Sequence, residues 1–139
     1  MTLTTADTAV GDTHTQVLVE DLTRTQIVMY AGASGDYNPL HSDERYAVEA
    51  AGFPGVFAHG MLTMGMTGRA VTDLVGADHM VRFGGRFKSQ VWPGDTLTAT
   101  VTVDAVRDEG DEHLVDLTVV TVNQKGDEVF AGAATARID

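Results

Sequence analysis

From Thr96 onward, polar and apolar positions alternate. Leu97, Ala99, Val101 and Val103 fall on one side, and Thr96, Thr98, Thr100 and Thr102 on the other. A period of two over this length predicts a strand with one buried face. Residues 114–123 and 128–138 predict two more strands, with turns at 108–112 and at 124–127. Upstream, 81–90 predicts a strand closed by the Pro93-Gly94-Asp95 turn, and 15–20 a short one.

The pattern between these strands is helical. Thr23 followed by Gln26 is a capping box, and Ile27, Val28 and Ala31 make an apolar stripe that should end near 32–35. A short helix is expected at 42–50, with Asp43 and Glu44 in its first turn, where the dipole favours acids. Residues 51–57 read as a loop. Over 60–75, Met61, Leu62, Met64, Met66, Ala70, Val71, Leu74 and Val75 leave little polar face. A helix apolar nearly all round is buried on most sides. Gly65 and Gly68 each cost roughly 1 kcal/mol against Ala inside a helix. The expected return is close approach of a sheet or a partner. Helices followed by an antiparallel meander around one buried helix define an α+β fold. Residues 1–11 are small and polar and are expected to be a flexible N-terminal segment. Residues 12–139 form a single domain.

Composition narrows the function. A chain of 139 residues with 43 % hydrophobic content can build one core. No apolar window is long enough for a transmembrane span, and the first dozen residues lack the pattern of a secretory signal. The absence of cysteine excludes disulfides, thiolate nucleophiles and zinc-thiolate sites. These features fit a cytoplasmic protein. A formal net charge of −11 disfavours nucleic acid and anionic membranes as partners. Four of the nine basic residues, Arg69, Arg82, Arg86 and Lys88, fall in one stretch; they could meet an anionic ligand or be solvated strand charges.

Candidate chemistry sits in two segments. Asp36 and His41 lie five residues apart across a turn containing Asn38-Pro39. Proline fixes φ and pushes the preceding residue out of the α region, so this turn is stiff. A carboxylate and an imidazole on one rigid loop suit proton transfer. Asn38 is a turn former or a group that orients the pair, and Asp43 is expected to start a helix. The second segment, His59-Gly60, opens the long apolar helix. Gly60 carries no side chain to keep a ligand from the unpaired N–H groups there, so its N–H could receive an oxyanion. His59 is expected to hydrogen-bond backbone and fix the loop. His41, Asp43 and His59 could ligate a metal, but no third ligand stands at a recognisable spacing, so no metal site is expected.

The segment from Tyr30 to Asp43, YAGASGDYNPLHSD, together with His59-Gly60-Met61 and the later Arg86-Phe87 to Pro93-Gly94-Asp95 stretch, resembles the MaoC-like dehydratases, the R-specific enoyl-thioester hydratases. The likeness spans about Asp12 to the C-terminus and is nearest to actinobacterial 3-hydroxyacyl-thioester dehydratase subunits. It implies a hot-dog fold, an antiparallel sheet wrapped around a long central helix. It also implies reversible hydration of trans-2-enoyl thioesters of coenzyme A or acyl carrier protein, with R stereochemistry and no cofactor. Asp36, His41 and the Gly60 N–H would be catalytic, with Asn38 and His59 in support. Some members carry a serine on the central helix behind the aspartate; here glycine stands at or near that place. Members dimerise through sheet edges, which implies a homodimer or a heterodimer with another hot-dog subunit. The alternatives are a hot-dog thioesterase, or a subunit with a structural or binding role in a heteromeric dehydratase. A thioesterase would need a carboxylate on the central helix, where only Asp73 occurs, near the far end.

Overall fold

The computed structural model describes residues 2–139. Five antiparallel strands, β1 (Thr13–Val19), β2 (Met80–Phe87), β3 (Leu97–Glu109), β4 (Glu112–Val122) and β5 (Glu128–Ile138), form one sheet in the order β1-β3-β4-β5-β2. Helix α1 (Arg24–Ser34) follows β1, and the long helix α2 (Gly60–Val75) lies against the sheet. This is the expected hot-dog arrangement. The meander covers only β3, β4 and β5. The strand after α2 crosses to the far side and pairs with β5, which leaves β1 and β2 as the two edges.

The alternation in β3 is as expected through Val103, with Leu97, Ala99, Val101 and Val103 buried. A bulge between Val103 and Ala105 then resets the pleat and leaves Asp104 exposed. The strand runs on to Glu109, and the turn tightens to Gly110-Asp111. Helix α1 has the full capping box: the Thr23 hydroxyl accepts from the Gln26 N–H and the Gln26 side chain accepts from the Thr23 N–H. It ends on Gly35 in the left-handed region, at φ 75°.

Helix α2 has the expected bounds but not the expected burial. Thr63, Thr67, Ala70, Val71 and Val75 face inward, whereas Met61 is 55 % exposed and Gly65, Arg69 and Asp73 line the open side. Two inward threonines are reconciled with the core by pairing. The Thr67 hydroxyl donates to the Thr63 carbonyl at 2.9 Å and lies 2.7 Å from the Thr121 hydroxyl of β4. Gly68 makes the close approach expected of it, because a Cβ there would meet the Phe83 ring at 3.1 Å. Gly65 does not, since among the described residues nothing lies within 4 Å of its Cβ position. The buried Phe130 ring lies over Gly85 and Gly132, where side chains would collide with it.

Over the described residues, which exclude Met1, the N-terminal segment makes contacts with the rest of the domain. Leu3 is buried and its N–H donates to the Leu74 carbonyl. The Thr5 N–H and hydroxyl both donate to the Asp139 carbonyl, and the Gly11 N–H donates to Val103.

Candidate active site

The turn after α1 is built from local hydrogen bonds. The Ser34 hydroxyl accepts from the Asp36 N–H, Asp36 Oδ1 from the Asn38 N–H, and Asn38 Oδ1 from the Leu40 N–H. Asn38 therefore caps a single 3₁₀ turn, Pro39–His41, with its own backbone at φ −55°, ψ 124°, outside the α region as Pro39 requires. Of its two expected roles, the bond shows that of turn former. Asp43 accepts from the Tyr46 N–H and starts the following short helix, whose last turn, Tyr46–Ala50, widens to π geometry. The Arg24 guanidinium bonds Glu44 and holds its carboxyl below the usual range; the Val56 N–H adds to the effect. This ties the turn region to the start of α1 and to the loop before α2.

Distant residues complete the site. His41 is half-buried, with Nδ1 2.6 Å from the Phe57 carbonyl. A carbonyl oxygen only accepts, so Nδ1 carries a hydrogen and Nε2 is the nitrogen free to exchange a proton. His59 is buried, its ring stacked on His41 with centroids 3.8 Å apart. One carboxylate oxygen of Asp36 and one ring nitrogen each of His41 and His59 lie within 4.8 Å of one another. Spacing offers His41, Asp43 and His59 without a recognisable third ligand; the fold groups Asp36, rather than Asp43, with His41 and His59, so these three residues are the group among the described residues that could hold a cation.

Gly60 is the first residue of α2, and among the described residues no side chain caps that helix. The first bond of the helix runs from the Leu62 N–H to the His59 carbonyl, so the Gly60 and Met61 amides before it can face a ligand. A cavity of about 290 Å³ opens beside them, lined by Phe57, Gly60, Thr63, Phe87 and Lys88 among others. Phe87 covers Gly60, where a Cβ would meet its ring at 3.1 Å. Phe57 and Phe87 were missed from sequence. Phe57 precedes His59 by two residues in a loop and acts through its carbonyl, which no side-chain pattern reveals.

The four basic candidates do not form one patch. Arg69 donates to the Leu18 carbonyl. Arg82 lines a different cavity with Gly84 and Thr135, and Arg86 shares its side of β2, opposite Phe83 and Phe87. Lys88 alone borders the cavity at Gly60. Asp73, the one carboxylate on α2, sits at the far end and accepts from Gln16.

Comparison with known proteins places this arrangement. Residues 5–125 match the MaoC like domain; the chain belongs to that family. It is 36 % identical over 123 residues to the (R)-specific enoyl-CoA hydratase of Rhodospirillum rubrum, covering 87 % of this chain and 83 % of that one. It is 37 % identical over 93 residues to the 3-hydroxyacyl-thioester dehydratase Y of Mycobacterium tuberculosis, covering 65 % of this chain but only 32 % of that protein. The chain thus spans about a third of that mycobacterial relative. Among solved structures, a chain of the ChsH1-ChsH2 complex of M. tuberculosis superposes with a TM-score of 0.77 at 28 % identity, over 94 % of this chain and 98 % of that one.

Proposed function

We propose that the chain is a hydro-lyase that reversibly adds water to trans-2-enoyl thioesters, giving (R)-3-hydroxyacyl thioesters. The observation that carries this is the meeting of the Asp36 carboxylate and the His41 imidazole beside the uncapped start of α2. In the hydration direction, Asp36 and His41 Nε2 hold one water. Its oxygen bonds to C3 while one of the two groups takes its proton, and the other delivers a proton to C2. The thioester oxygen gains enolate charge in between and accepts from the Gly60 N–H. One such donor is worth about 3–4 kcal/mol in other enzymes. The reaction consumes only water and needs no cofactor. The R outcome is supported by the name of the Rhodospirillum relative.

Lys88, at the cavity, is placed to meet the anionic carrier, whether coenzyme A or acyl carrier protein. We place the reaction in the cytoplasm, where such thioesters are made and used; among the described residues no helix is long and apolar enough to cross a membrane. A sheet edge is proposed to pair with a second hot-dog subunit, identical or not; the likeness to a chain of the ChsH1-ChsH2 complex supports this. The test is hydration of crotonyl-CoA by the purified chain, followed by loss of enoyl absorbance and chiral analysis of the product. Steady conversion to the R isomer is expected; no conversion at micromolar enzyme would refute the proposal.

A further inference from the structure

We propose that His59 is a positioning residue that holds Asp36 and His41 in register with each other and with the Gly60 N–H. The inference rests on the hydratase reading of the site. His59 is 1 % exposed. Its Nε2 lies 3.0 Å from the Asp36 carbonyl oxygen, which only accepts, so Nε2 carries a hydrogen and donates. One face of the same ring stacks on His41 at 3.8 Å and 27°, and Tyr30 meets it edge-on at 4.9 Å. The peptide bond that follows His59 carries the Gly60 N–H. A single buried imidazole thus touches the backbone of one proton-transfer group and the ring of the other, and is joined covalently to the oxyanion donor.

Two features separate this role from helix capping or simple core packing. As the residue before α2, His59 could turn its side chain toward the first-turn amides, yet it makes no capping bond. Its Nδ1 is buried and has no hydrogen-bond partner among the described residues. An apolar ring would fill the space without leaving that acceptor unpaired. What the imidazole supplies that an apolar ring would not is the Nε2 donor. The 36–41 turn is otherwise anchored at its far end, where Leu40 accepts from the Phe57 N–H and His41 donates to the Phe57 carbonyl. The bonds at its Asp36 end are local, to Ser34 and Asn38. His59 is the long-range tie there.

The test compares crotonyl-CoA hydration and thermal melts of His59→Phe, His59→Gln and Asp36→Asn with wild type, and adds long-range ¹H–¹⁵N spectra of the wild-type imidazoles. His59→Phe keeps ring and burial but loses the donor. Its kcat should fall on the order of 100-fold with KM within about threefold, because a 1 Å misplacement costs about that much. His59→Gln retains an N–H and should recover at least about tenfold of the loss. The spectra should show His59 with hydrogen on Nε2. His59→Phe within about threefold of wild type, His59→Gln no better than His59→Phe, or hydrogen on Nδ1 would overturn the assignment. If His59→Phe does not fold, His59→Gln against wild type and the spectra decide: His59→Gln below about 1 % of wild-type activity with an unchanged melt overturns it. Full activity of Asp36→Asn would instead sink the hydratase reading, and the tautomer measurement stands apart from that outcome.

Discussion

Gly60 is the residue at which chemistry and packing are most easily told apart. It opens α2 beside the cavity, and the ring that a side chain would displace belongs to Phe87, which is half exposed. Gly60→Val should therefore abolish hydration with a melt close to wild type. A collapsed melt would reduce Gly60 to packing, and retained activity would remove its N–H from the mechanism. The turn that carries Asp36, Asn38 and His41 and the helix start at Gly60 were legible in the sequence because each is a short local pattern. The contacts of His41 with Phe57 and of His59 with Asp36 span 16 and 23 residues. No local pattern carries such pairings.

At the scale of elements, strands β3 and β5 and helix α2 were legible because periodicity and turn residues agree with the packing. The burial of α2 was not. Two of its three threonines, Thr63 and Thr67, face inward and Met61 faces outward, an inversion that hydropathy alone cannot show. The Thr67 hydroxyl donates to Thr63, so the Thr121 hydroxyl must donate to Thr67. Thr67→Val strands the Thr121 hydroxyl and should cost about 1–3 kcal/mol, whereas replacing both partners by valine can be nearly neutral. Urea titrations of the two single variants and the double should show this non-additivity; additive losses would mean that the pair is not coupled. Gly65→Ala fills open space on an exposed helix face and should stabilise by up to about 1 kcal/mol. A lower melting temperature would show that something else packs against that position.

Across the whole molecule, the acidic balance is countered locally. Arg24, Arg45, Arg107 and Arg137 form ion pairs, whereas Arg69, Arg82, Arg86 and Lys88 make none among the described residues. Their clustering in sequence is dispersed by the strand pleat and by helix α2, and only Lys88 reaches the cavity. KM for an acyl-CoA should rise with salt while kcat changes little, and Lys88→Ala should raise KM and flatten that dependence. A salt-independent KM would return Lys88 to the solvent. The order of the sheet was only partly legible, because the crossing of β2 to pair with β5 depends on how the chain passes over α2 rather than on any strand's own pattern.

The central claim is that Asp36 and His41 act as one proton-transfer unit, and it is tested most directly by kcat for crotonyl-CoA hydration in Asp36→Asn, His41→Ala and the double variant, with melts in parallel. General acid and base groups contribute about 10²–10⁴-fold, so each single variant should lose at least about 100-fold with the fold intact. The double should be little worse than the worse single. Single variants within a few-fold of wild type would contradict the claim outright, and multiplicative losses would contradict the joint action of the two groups.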